Sequence, residues 1–246
     1  MAAYVEQDRD LIFALDIGTR SIVGMVGKLV EDRFQVLAVE SAEYSKRTMM
    51  DGQIDDIEGV ADLAKAVTKR LEHKLQMNLT RVCVAAAGRA LRTQRGVFTV
   101  DLPEDRTINA TDISEMEAGA VSAAEDLLRQ KDDAPQQFYL VGYTVAQYRL
   151  DNYPLTTLQG HSGKRAEAEI VATFLPGEVV DSLYAAMHAA GLQVASMTLE
   201  PIAAMNAAIP AELRLLNLAL VDIGAGTSDI ALRRAAFDLL SSAEIH

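Results

Sequence analysis

The chain has 246 residues, 50% of them hydrophobic and 24% charged, with a formal net charge of −12. That is ordinary globular chemistry, long enough for one large domain or two smaller ones to fold without covalent staples. The acidic balance excludes a general attraction for nucleic acid, the one cysteine excludes an internal disulfide framework, and no stretch approaches the roughly 20 apolar residues of a membrane span.

The chain opens on polar residues (Glu6, Asp8, Arg9, Asp10), and its first apolar run is cut by Asp16. That is no signal peptide, and a soluble cytoplasmic protein is the expectation. Residues 11–17 read as a buried strand, broken at Gly18-Thr19 and resumed at 21–29; a turn near Glu31 leads to a third strand at 34–39. Apolar residues then recur at three and four (Val60, Leu63, Ala64, Val67, Leu71, Leu75), which predicts an amphipathic helix over 57–77. A strand at 81–87 follows, parallel to the first because a helix lies between them. It contains Cys83, which reads as a small buried hydrophobe.

From Gly88 the pattern changes. Residues 92–102 read as a strand broken at Gly96, and Thr111 and Asp112 are N-cap candidates for a helix to about Arg129. Arg89, Arg92 and Arg95 form the one basic cluster of note and read as a solvated strand edge. A loop at 131–135 precedes two more strands, at 138–150 and 166–174. A helix at 178–190 ends at Gly191, a strand spans 192–199, and Glu200-Pro201 starts a helix to about Ile209, the proline tolerated in its first turn. An apolar strand at 215–223 then turns through Gly224-Ala225-Gly226-Thr227 into a returning strand at 228–232. The tail at 234–245 reads as a short amphipathic helix. Histidines at 73, 161, 188 and 246 are scattered without metal-ligand spacing.

Two segments resemble each other: Leu15-Asp16-Ile17-Gly18-Thr19-Arg20-Ser21 and, from Val221, Asp222-Ile223-Gly224-Ala225-Gly226-Thr227-Ser228-Asp229. Each is an apolar strand ending in Asp-Ile-Gly, a small or hydroxyl-bearing turn, and a second apolar strand. Glycines let backbone N–H groups approach an anion closely, and turn hydroxyls add donors. Aspartates at strand ends can hold magnesium through its water shell. One such copy is an ordinary hairpin; two facing each other would clamp the phosphates of one nucleotide. A dinucleotide fold is excluded because Asp229 stands where a third glycine belongs and the loop leads into a strand. A Walker loop is excluded because no Gly-Lys-Ser/Thr occurs.

These loops, together with Glu200-Pro201-Ile202-Ala203-Ala204, resemble the two phosphate motifs and the first connecting helix of the actin/DnaK/sugar-kinase superfamily. Within it, the strand–helix–strand–strand segment at 89–175 is similar to the insert of the FtsA-type cell-division proteins. Lys46-Arg47 with Gly52-Gln53-Ile54-Asp55-Asp56, and Ala86-Ala87-Gly88 before the insert, resemble the same family.

The resemblance implies an α/β fold, a ribonuclease-H-like (actin-like) ATPase domain carrying an inserted α+β subdomain. Residues 1–88 plus 176–212 would be the first actin-like subdomain, 89–175 the insert, and 213–246 the start of a second, truncated actin-like domain. It implies ATP and magnesium as cofactors. Asp16, Gly18 and Thr19 would face the phosphates from one side, and Gly224, Gly226 and Thr227 from the other. Asp16 and Asp222 would hold hydrated magnesium through its water shell, Asp222 would alternatively orient the attacking water, and Glu200 would act beside it as a second catalytic residue. Glu200 has a second reading, as a favourable charge at its helix N-terminus, and Arg20 is left between a phosphate contact and an exposed position.

Further implied are a scaffold role in bacterial cell division, an FtsZ-like partner, self-polymerisation, at most weak ATPase activity, and membrane association through a C-terminal amphipathic helix. The glycine-rich adenosine loop, the second connecting helix and that anchor are not found before residue 246, so this chain alone is expected to bind ATP weakly or not at all and to be inactive as an ATPase. The alternatives are other proteins on the same fold: a sugar or acetate kinase, a pilus-assembly relative, or a DnaK-type chaperone relative.

Overall fold

In a computed structural model, the chain is described at residues 10–31, 33–50, 52–86, 91–103, 106–131, 137–210, 212–213, 216–234 and 237–244. Glu6, Asp8, Arg9, the Ala87-Gly88 pair, Arg89 and most of the 131–135 loop lie outside them.

Burial alternates along β1 (Leu11–Ile17): Phe13, Leu15 and Ile17 are buried and Asp16 points to the other side. Two hairpins carry the chain through β2 (Ser21–Val30) and β3 (Arg33–Glu43), as expected. A minimal hairpin, β4 (Met49–Met50) and β5 (Gln53–Ile54), was not legible in advance. It delivers Asp56, whose side chain accepts from Gly59 N–H at 2.9 Å and meets Lys46 Nζ at 2.7 Å, to the N-cap of α1 (Ile57–Leu75). The buried stripe of α1 packs onto β2 at Gly24, where a Cβ would stand 2.6 Å from Val67 Cγ1. The helix ends on Gln76 in the left-handed region, and β6 (Arg81–Ala86) joins β1 in parallel.

Next come β7 (Arg92–Asp101), α2 (Ala110–Lys131), β8 (Phe138–Leu150), β9 (Tyr153–Leu155) and β10 (Arg165–Pro176). Their sheet runs β7-β10-β8-β9, with α2 over one face against Ile170, Ala172 and Phe174. Two expectations are corrected here. Gly96 does not break β7, which is continuous; it makes room for α2, since a Cβ there would lie 1.9 Å from the Ala120 carbonyl oxygen. The cap of α2 is Asn109, not Thr111 or Asp112: its Oδ1 accepts from both of those N–H groups, while Asp112 Oδ2 accepts from Asn109 N–H at 2.9 Å. That reciprocal pair satisfies three backbone donors.

The chain returns through α3 (Gly177–Ala189), stopped at Gly191 (φ +79°), into β11 (Gln193–Leu199), which pairs in parallel with β6. The first sheet is therefore β11-β6-β1-β2-β3, with α1 and α3 sharing its main core. Helix α4 (Glu200–Ala208), with Pro201 in its first turn, leads on to β12 (Leu218–Ile223) and β13 (Thr227–Arg234). The tail is not helical. β14 (Phe237–Glu244) pairs antiparallel with the whole of β13, from Arg234↔Phe237 to Thr227↔Glu244. Two strands alone are marginal in water, and pairing the tail along β13 adds a third strand and covers that strand's open edge, which a helix would leave unpaired.

Candidate functional site

The two hairpins that resemble each other in sequence also match in backbone pairing. Gly18 N–H donates to the Ser21 carbonyl at 3.0 Å, and Gly224 N–H to the Thr227 carbonyl at 2.9 Å. Asp16 lies opposite Val23 in the first ladder and Asp222 opposite Asp229 in the second, the same register at both places. The turns meet. A Cβ on Gly226 would stand 2.8 Å from Thr19 Cγ2 and 3.0 Å from its Oγ1, so only a glycine admits Thr19 so closely.

Behind this contact opens a cleft of about 740 Å³, within the range of small-molecule sites. Asp16, Gly18 and Thr19 line it from one hairpin, Asp222, Gly224 and Thr227 from the other, and Glu200 from the start of α4. Gly226 holds the two turns together against Thr19. All the residues expected from the sequence thus converge. Arg20 also lines the cleft, and its guanidinium pairs with Glu43 at 3.2 Å.

The cleft is strongly acidic. Among the described residues lining it, Arg20 is the one cation. Burial, then the charges of Asp16, Asp229 and Asp222, push the Glu200 carboxyl up to about 8. Withdrawal from water, and secondly Asp222, raise Asp16 above the ordinary range, although its side chain keeps an open side toward the cleft. The same two causes raise Asp229. Among the described residues no three acidic, histidine or cysteine groups come close enough to grip a metal ion directly.

Asp229 was missed as a site residue. It is only 5% exposed, lines the cleft, and its Oδ1 has no hydrogen-bond partner among the described residues. A buried carboxylate oxygen without a donor is costly unless something supplies positive charge or donors. The signal was its place opposite Asp222, where the first hairpin carries Val23. Cys83 was read as core; it is half-buried and lines the cleft wall.

No family model matches the chain. It is 26% identical over 230 residues to the cell division protein FtsA of Pseudomonas aeruginosa, covering 92% of this chain and 52% of that protein. The values for FtsA of Bacillus subtilis are 26% over 230 residues, 92% and 49%. The chain is FtsA-like. It spans about half the length of these curated relatives. Among solved structures, the PilM-PilN type IV pilus biogenesis complex matches the FtsA-like chain with a TM-score of 0.64 at 17% identity, over 95% of this chain and 61% of that one. That likeness concerns the fold, which is actin-like α/β with an inserted α+β unit.

Proposed function

We propose that the chain carries the phosphate-clamping part of an actin-like nucleotide site and belongs to an ATP-binding scaffold of bacterial cell division. The observation that supports this best is the contact of Gly226 with Thr19, which brings two hairpins of identical register together over an acidic cleft. In this reading residues 1–88 with 176–212 form the first actin-like subdomain, 89–175 the insert, and 213–246 the start of the second domain.

The donors fit a polyphosphate: the turns around Gly18–Thr19 and Gly224–Thr227 offer backbone N–H groups and threonine hydroxyls from both sides. The acidic floor fits a hydrated divalent cation, because the Asp229 Oδ1 is buried without a donor and no direct ligand cluster is present among the described residues. Bound magnesium would neutralise phosphate charge. Asp16, Asp222 and Asp229 would accept hydrogen bonds from its water shell. Glu200, with a pKa near 8, would take a proton from an attacking water when ionised. A charge at the helix N-terminus remains compatible with this role, since Glu200 opens α4.

As with FtsA-type proteins, we expect an FtsZ-like division protein and further copies of the protein as partners, no nucleic acid, and association with the cytoplasmic side of the membrane through a segment other than those described. No helix among the described residues is long and apolar enough to cross a membrane. Calorimetric titration of the purified chain with magnesium tripolyphosphate and magnesium ATP tests the clamp. Weak binding of both, lost in Gly226→Val, is expected; identical heats for the chain and the variant would sink the reading.

A further inference from the structure

A glycine inside a strand weakens it and is retained where a turn or a close approach demands one. Gly96 in β7 and Gly24 in β2 meet that demand: a Cβ would stand 1.9 Å from the Ala120 oxygen and 2.6 Å from Val67 Cγ1. Gly142 in β8 does not. Among the described residues a Cβ there meets only Ile202 Cδ1 at 3.8 Å, an ordinary contact, and its φ is not left-handed. Beside it the ladder skips Val141, between the pairs Thr173↔Gly142 and Phe174↔Leu140, but such a bulge calls for glycine only when φ is positive. Packing among the described residues leaves Gly142 unexplained.

What Gly142 borders is a cavity of about 310 Å³ that adjoins the cleft between the hairpins, Thr198 lining both. Its floor consists of two cross-strand rows on the face of the insert sheet opposite α2: Thr93, Thr173 and Gly142, then Val171 and Thr144. Thr198 from β11 and Ile202, Met205 and Asn206 from α4 close it from above. No aspartate, glutamate, lysine, arginine or histidine is among its described lining residues.

We propose that this cavity is a binding site for a small uncharged organic molecule with an apolar body and one or two hydroxyl or amide groups. A charged ligand would lose its hydration with no countercharge to meet it. A purely apolar one would leave threonine hydroxyls such as that of Thr173, only 5% exposed, facing hydrocarbon. Valine and isoleucine methyls together with threonine hydroxyls suit a molecule of both characters. Gly142 keeps the space open.

Methyl NMR on the purified chain tests this directly, with cyclohexanol and acetanilide as uncharged probes and cyclohexanecarboxylate and benzylammonium as charged ones. The uncharged probes should shift the Ile202 and Met205 methyl resonances saturably, and the charged ones should bind roughly tenfold more weakly or worse. Gly142→Leu should fill the cavity and abolish the shifts while the circular dichroism stays unchanged. Thr144→Val keeps the shape but removes a hydroxyl and should weaken binding about fivefold, so the claim stays testable if Gly142→Leu does not fold. Failure of both uncharged probes to shift these methyls would overturn the proposal. So would shifts that survive both substitutions, or equal binding of the charged probes.

Discussion

Gly226 and Thr19 touch across the two hairpins so closely that an added Cβ on Gly226 would stand 2.8 Å from the Thr19 methyl carbon. The first prediction follows from that distance. Gly226→Val should pry the turns apart and reduce magnesium tripolyphosphate affinity by about tenfold or more, because a misplaced donor set loses its convergence on the ligand. Gly226→Ala should fall between the chain and the valine variant. Affinities from calorimetry check the order.

Glu200 predicts a pH dependence. Its folded pKa, about 8, lies above its ordinary 4.5, so the folded state holds the proton more tightly than the unfolded one. The stability this group contributes is therefore full below pH 4.5 and is lost as the pH rises through about 8. Asp16 and Asp229, both raised, act in the same sense. The melting temperature should decline across that window, and Glu200→Gln should flatten the decline. Thermal melts of both proteins at a series of pH values measure the difference.

Asp229→Asn should raise the melting temperature, since it removes a buried charge whose Oδ1 has no partner among the described residues. Each 1 kcal/mol of relief corresponds to about 2–4 °C in a chain of this size. Millimolar magnesium should stabilise the unaltered chain if the proposed cation site holds, and the same variant should lose that stabilisation. Melts with and without magnesium distinguish a charge that binds a cation from one that merely strains the fold.

The hairpins were legible because their apolar residues alternate and their turns carry glycine; the Asp-Ile-Gly repeat even located the cleft. What stayed hidden depends on partners distant in sequence. Phe237, Leu239 and Leu240 suit a helix or a strand, and only the edge of β13 decides between them. Gly96 looks like a break until Ala120 is placed above it. Asp229 looked like a missing glycine, and its importance comes from the residue it faces across the ladder. Gly142 gave no signal, because the meaning of an empty space depends on what surrounds it.

Gly96→Ala should destabilise the chain by about 1–3 kcal/mol, because the α2 backbone cannot retreat without unpacking Ala120 and Ala124 from the sheet. Urea unfolding gives the change in midpoint. Tripolyphosphate binding, assigned in the proposed reading to the hairpins and not to the insert, should be unaltered.

Register also identifies an exposed surface. Leu15 and Ile17, 2% and 4% exposed, correspond in the second hairpin to Val221 and Ile223, 53% and 73% exposed. An exposed apolar pair of this kind predicts concentration-dependent self-association in sedimentation velocity, which Val221→Ser with Ile223→Ser should reduce while leaving the melting temperature within about 2 °C, since exposed positions carry little stability.

Helix α4 gives Ala203, Ala204 and Ala207 to the phosphate cleft and Ile202, Met205 and Asn206 to the cavity beside the insert. Nine residues of helix make a stiff partition, so the two chambers share one wall. An occupant that displaced this wall from one side would change the room on the other, and linkage would make the exchange symmetrical: whatever one occupant did to the affinity of the second, the second would do to the first.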